Sequence, residues 1–129
     1  MTALVSGGFT FFTQRIRERT GFDTDQANQL LIGDSGQLSG MVASPILGRA
    51  AKLEALKDLA AEQGLDLMET IAVGDGANDL EMIEAAGLGV AFNAKPAVAA
   101  KADVQVIHND LTALLFLQGY RRAEFITAD

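Results

Sequence analysis

Apolar positions along the chain follow helical and strand rhythms in turn. Phe9, Phe12 and Ile16 recur at helical spacing, and Gly21-Phe22 reads as a helix stop with an apolar contact behind it. These predict a helix over residues 10–20. Only Leu4-Val5 precede Ser6-Gly7-Gly8, which reads as a loop after a strand too short to be complete. Gln29-Leu30-Leu31-Ile32 and Leu38-Ser39-Gly40-Met41-Val42 flank the turn Gly33-Asp34-Ser35-Gly36 and predict a hairpin. From Arg49 to Gln63, Leu53, Leu56 and Ala60 share one helical face opposite Lys57, Asp58 and Glu62, with Gly64 as the stop.

The second half alternates more regularly. Thr70 to Val73 is a strand that enters Gly74-Asp75-Gly76-Ala77-Asn78-Asp79, and Leu80, Met82, Ile83 and Ala86 then repeat helically up to Gly87. Leu88 to Phe92 is a strand, Pro96 suits a first helical turn, Val104 to Ile107 is a short strand, and Asp110 opens a last helix. Alternation of this kind predicts a mostly parallel sheet covered by helices, with ligands at the carboxyl ends of the strands. Phe9, Phe11, Phe12 and Phe116 are expected in the core.

Composition narrows the function. The 129 residues carry 10 Lys+Arg against 17 Asp+Glu, a net charge of −7 and the wrong sign for neutralising a phosphate backbone, so no nucleic-acid partner is expected. Without cysteine there is no disulfide, zinc-thiolate site or thiol nucleophile, and the lone His108 cannot build a histidine metal cluster. His108 is expected in a surface loop, and Arg121-Arg122-Ala123-Glu124 shows no evident role. No apolar run approaches the ~20 residues of a membrane span, and the first residues lack a signal-peptide pattern; the expected compartment is the cytoplasm.

Chemistry concentrates at residues 74–79. Asp75 and Asp79 lie four apart on a glycine-bearing turn directly after a buried strand. A hard dication such as Mg²⁺ takes one or two protein carboxylates and keeps several waters, which suits Asp75 as ligand and Asp79 as the group that orients a bound water or a lysine. The same two carboxylates would also serve simply as caps of the turn and the helix N-terminus. Ser6-Gly7-Gly8 offers a hydroxyl and backbone N–H groups to a phosphoryl oxygen, or is only a turn. Lys52, near the start of an amphipathic helix, is either a charge for a phosphoryl group or a solvated side chain.

Taken together, Val5 to Thr10, Ala27-Asn28-Gln29-Leu30, Pro45 to Gly48 with Ala51-Lys52, Val73 to Asp79, and Gly89 to Pro96 resemble the phosphoserine phosphatases of the haloacid dehalogenase superfamily, in order and in spacing. The resemblance implies an α/β fold: a Rossmann-like three-layer α/β/α core with a mostly parallel sheet and a small β-hairpin, with residues 1–129 forming one core domain. It implies that Ser6 and Gly7 hold the substrate phosphate, Lys52 offsets the phosphoryl charge, Asp75 binds Mg²⁺, Asn78 contacts substrate or phosphate, and Asp79 supports the metal shell. It further implies hydrolysis of a small phosphomonoester, L-phosphoserine to L-serine and phosphate, the last step of serine synthesis, with other small phosphate esters as alternatives.

One departure qualifies this. The family forms a phosphoaspartyl intermediate on the first Asp of an Asp-x-Asp-x-(Thr/Val) motif that ends its first, central strand. Here the only Asp-x-Asp is Asp23-Thr24-Asp25, which lies after Ser6-Gly7-Gly8 and is expected to be a solvated loop or cap. The expected chain is therefore a core incomplete at its N-terminal side, without the central strand and without the cap that reads serine. Such a chain is expected to be inactive alone. The strands ending at Ser6 and Val73 would then either pair with each other or accept a strand from the missing portion or a second copy. The other readings are a non-catalytic Mg²⁺- and phosphate-binding or regulatory module, and a metal-free α/β interaction domain.

Overall fold

The computed structural model describes residues 1–126, so the last three residues of the expected 1–129 domain lie outside the described range. Strand β1 is Ala3–Phe9, helix α1 Thr10–Thr20, strand β2 Thr24–Asn28, and strands β3 Leu30–Ile32 and β4 Leu38–Val42 form the predicted antiparallel hairpin. Helix α2 is Arg49–Glu62, β5 Ile71–Gly74, α3 Leu80–Ala85, β6 Leu88–Phe92, α4 Pro96–Ala99, β7 Val104–Val106 and α5 Ala113–Leu117. Pro96 occupies the first turn of α4 as expected, and Gly21 ends α1 in the left-handed region with its N–H on the Arg17 carbonyl. No helix is long and apolar enough to cross a membrane among the described residues.

The parallel sheet is not continuous. β5, β6 and β7 pair in that order, all parallel, whereas β1 pairs only with β2 and the two groups belong to separate sheets. The strands ending at Ser6 and Val73 therefore do not pair with each other, and β1 and β5 each keep one edge without a strand neighbour among the described residues. Helix α2 joins the halves, packing on β1 on one side and on α3 and the 77–79 turn on the other.

The core lies over the three-stranded sheet, where Ile83, Ala91 and Val98 are packed with Leu80, Ala94, Ala99 and Ala102. Gly89 is required there, since a Cβ would sit 2.3 Å from the Ile83 carbonyl oxygen. On α2 the buried residues are Ala55 and Ala60, and the predicted Leu53 and Leu56 are half-buried beside them.

Three expectations are corrected. Ser6-Gly7-Gly8 is not a loop after β1 but part of it: the register slips between Val5 and Phe9, where four steps along β1 match two along β2, so the segment is a bulge. Asp23-Thr24-Asp25 is only in part the expected solvated loop or cap: Asp23 is exposed and caps, whereas Thr24 and Asp25 belong to a strand. Asp23 caps the chain start, accepting from the Thr2 N–H at 2.6 Å and its hydroxyl at 3.0 Å, and Thr24-Asp25 open β2. The Asp25 carboxylate, only 5% exposed, accepts from the Thr13 hydroxyl at 2.6 Å and pairs with Arg17 at 3.3 Å, so a polar sequence forms a strand beside β1. The expected phenylalanine core is also overturned: Phe12 is 59% exposed and Phe11, Ile16 and Phe116 are exposed too, while Phe9 is half-buried. Two strands ~5 Å apart cannot cover a helix ~10 Å wide, and α1 turns the hydrogen-bonded Thr13 inward.

Candidate active site

The end of β5 sets the centre of the site. Parallel strands put their carboxyl ends on one side of the sheet, and Gly74-Asp75-Gly76 leaves β5 there before the 3₁₀ turn Ala77–Asp79 leads into α3. Asp79 folds back under this turn. Its Oδ2 accepts from the N–H of Asp75 at 3.1 Å and of Gly76 at 3.0 Å, and its Oδ1 receives the Lys52 Nζ. Gly74 permits the approach, because a Cβ would lie 2.4 Å from the Asp79 Cβ. At Gly76 a Cβ would meet the Asn78 side-chain oxygen at 2.6 Å, so Asn78 rests against the turn with its residue surface exposed.

Lys52 and Asp79 form a nearly dry ion pair, their side chains 14% and 4% exposed. Burial pushes the Asp79 carboxyl up, but the Lys52 hydrogen bond and charge and the two backbone N–H groups more than reverse it and hold the group below the ordinary carboxylate range. Asp79 is thus ionised and fully engaged, which fits a residue that orients its neighbours. The Asp75 side chain is exposed and makes no hydrogen bond or ion pair with the described residues. Its carbonyl accepts from the Lys95 N–H at 3.2 Å, so the turn after β6 braces the loop after β5.

The β1 bulge supplies the second group. The Ser6 hydroxyl oxygen accepts from the Gly8 N–H at 3.0 Å, which leaves the Ser6 proton to donate outward, and Gly7 is exposed. The structure thus gathers Lys52, Asp75, Asn78 and Asp79 in one cluster and sets Ser6 and Gly7 on β1, the strand against which α2 packs. Two contributors lay hidden in the sequence. The Lys95 backbone acts through an N–H that every residue but proline carries. Asn28 is 6% exposed at the end of β2, and its amide bonds the β1 bulge on one side and Leu47 on the other. Both lie in stretches that carry the family resemblance, Ala27 to Leu30 and Gly89 to Pro96, but neither was assigned a role there.

Among the described residues no group of three or more His, Cys, Asp or Glu could hold a metal. One exposed carboxylate on a braced loop, with a buried carboxylate behind it, fits a hard dication that keeps most of its water, and does not fit a metal that needs a full protein cage.

Comparison with known proteins gives the chain a family. Residues 23–115 match the family model described as haloacid dehalogenase-like hydrolase. The chain is 49% identical over 126 residues to a phosphoserine phosphatase of Streptomyces coelicolor, covering 98% of this chain and 30% of that protein. It is 44% identical over 115 residues to the phosphoserine phosphatase of Methanocaldococcus jannaschii, covering 89% and 54%. The crystal structure of a probable phosphoserine phosphatase from Vibrio cholerae superposes with a TM-score of 0.85 at 41% identity, over 91% of this chain and 36% of that one. The chain therefore spans between about a third and a half of the length of the relatives it matches.

Proposed function

The chain belongs to the haloacid dehalogenase-like hydrolases, and from that membership we propose that its residues form the phosphate- and metal-binding part of a phosphatase acting on a small phosphomonoester, L-phosphoserine first among them. The observation that carries this reading is the ion pair of Lys52 with Asp79 beneath the exposed Asp75 at the end of β5. Ser6 donates its hydroxyl proton, and Gly7 its N–H, to phosphoryl oxygens. Lys52 offsets the charge on the transferring group, held in place by Asp79. Asp75 and its neighbours hold Mg²⁺, which when bound supplies positive charge against the phosphoryl oxygens. Asn78, exposed beside Gly76, contacts the substrate. Residues 1–129 act as one core domain in the cytoplasm, on a small ester and without nucleic acid or membrane.

Hydrolysis through a phosphoenzyme needs an attacking carboxylate, and both members of Asp23-Thr24-Asp25 are occupied by Thr2, Thr13 and Arg17. These 129 residues are therefore expected to release no phosphate from L-phosphoserine and Mg²⁺ above an Asp75→Asn control. Release is expected once a polypeptide bearing an apolar strand that ends in Asp-x-Asp is added, and Asp75→Asn should abolish it. Release by the chain alone that Asp23→Asn or Asp25→Asn removes would overturn this assignment of roles. The occupied Asp23 and Asp25 also favour a second reading, a module that binds Mg²⁺ and phosphate without turnover. Persistent inactivity with the added strand, alongside Mg²⁺-dependent NMR shifts at Asp75, would select it.

A further inference from the structure

Asn28 is a buried polar residue to which the reading above gives no task. It closes β2, and its side chain forms three hydrogen bonds to two separate segments. Nδ2 donates to the Gly7 carbonyl at 3.0 Å and to the Leu47 carbonyl at 3.2 Å, and Oδ1 accepts from the Leu47 N–H at 2.7 Å. Gly7 belongs to the β1 bulge. Leu47 stands one residue before Gly48, the N-cap of α2, whose first turn carries Lys52. A side-chain amide that satisfies both a donor and an acceptor of Leu47 fixes that peptide in position and orientation, and the second Nδ2 proton carries the constraint to Gly7. No ladder hydrogen bond does this, because β1 and the segment before α2 are not strand neighbours.

Resting on the phosphate-site reading, we propose that Asn28 is a positioning residue that locks the Ser6-Gly7 bulge to the start of α2, so that the groups on β1 and the Lys52 ammonium act as one anion site. Asn28 itself touches no phosphate. It acts by aligning Gly7 and Lys52, and its loss should separate their responses to an anion without unfolding the sheet beyond α2.

The test titrates inorganic phosphate into the ¹⁵N-labelled 129-residue chain and its Asn28→Ser variant. In the unsubstituted chain the Gly7 and Gly8 amides and the Lys52 Nζ are expected to follow one binding curve. In Asn28→Ser the affinity should fall about tenfold or more, the two groups should follow different curves, and amide exchange at Val90 and Val106 should stay unchanged. A residue that only supports the fold would instead lower protection everywhere and keep a single curve. A second measurement compares the two chains: phosphate should slow exchange of the Leu47 N–H, which donates to Asn28 Oδ1, in the unsubstituted chain and not in Asn28→Ser. Equal affinity and one shared curve in Asn28→Ser, or a Leu47 N–H indifferent to phosphate, would overturn this role alone. No phosphate response at Gly7, Gly8 and Lys52 in the unsubstituted chain would overturn the phosphate-site reading and the positioning role with it.

Discussion

Replacing Lys52 by methionine is expected to lower the unfolding free energy by about 3–5 kcal/mol, the cost of leaving a buried charge without its partner. The substitution keeps most of the apolar stem of the lysine and removes its ammonium, and with it both the charge and the hydrogen bond to Asp79. The Asp79 carboxylate is 4% exposed and would keep its two backbone donors but lose its counter-charge. For a small protein with a total of about 5–15 kcal/mol this is a large fraction. Urea unfolding should show it as a midpoint lower by about 2 M at unchanged slope. A loss below about 1 kcal/mol would mean that solvent screens the pair, and the site would lack the dry electrostatics assigned to it.

Acid distinguishes the two chains further. In the native chain Asp79 is held below the ordinary carboxylate value, so its contribution is complete above about pH 4 and is lost as the pH falls through the lowered value. In Lys52→Met both lowering contributions of lysine are gone, and only the two backbone N–H groups still oppose burial, so the carboxyl titrates higher than in the native chain. Protonation then relieves the buried charge, so the deficit of the variant should narrow below about pH 5. A deficit constant from pH 7 to pH 4 would argue against an unpaired Asp79 as its cause.

The second large effect concerns the state of the chain in solution. Among the described residues β1 and β5 each present an unpaired edge, and the exposed apolar side chains include Phe11, Phe12 and Ile16 on α1 and Ile32, Leu38 and Met41 on the hairpin. Unpaired backbone groups beside apolar surface are a template for another strand. The 129-residue chain is expected to self-associate with a dissociation constant on the order of micromolar, the weak end for interfaces of ordinary size. Sedimentation velocity over a concentration series reads this directly. A strictly monomeric species with a single cooperative melt would show that both edges are covered within the chain.

The second half of the fold was legible because each of its strands is a mostly apolar run with a glycine or an aspartate at one end. Thr70 to Val73, Leu88 to Phe92 and Val104 to Ile107 needed no tertiary knowledge, and they appear as β5, β6 and β7 within one residue or so. β2 was not legible: Thr24-Asp25-Gln26-Ala27-Asn28 is polar, and it becomes a strand only because Thr13, Arg17, Gly7 and Leu47 satisfy its polar groups from elsewhere. The exposure of Phe12 was hidden for the reverse reason, since helical spacing marks an apolar face without saying whether a sheet is wide enough to cover it. The quartet Lys52, Asp75, Asn78 and Asp79 and the division of labour between the carboxylates could be named from spacing and resemblance, but the way Asp79 folds under the loop onto two backbone N–H groups depends on the missing Cβ of Gly74.

The discontinuity of the sheet changes what joins the two halves of the molecule. Where a continuous sheet would knit them with a ladder of backbone hydrogen bonds, the contacts across α2 include two charge pairs, Lys52 with Asp79 and Arg49 with Glu81. The first closes a loop of 27 residues, whose closure entropy is about 3 kcal/mol, so the pair works as a clasp against the tendency of the chain to open. Coupling by charge is sensitive to its medium in a way that coupling by a ladder is not. The exposed Arg49 clasp is screened by salt and the buried Lys52 clasp is not, so the integrity of the molecule rests on the same ammonium group that is assigned to its chemistry.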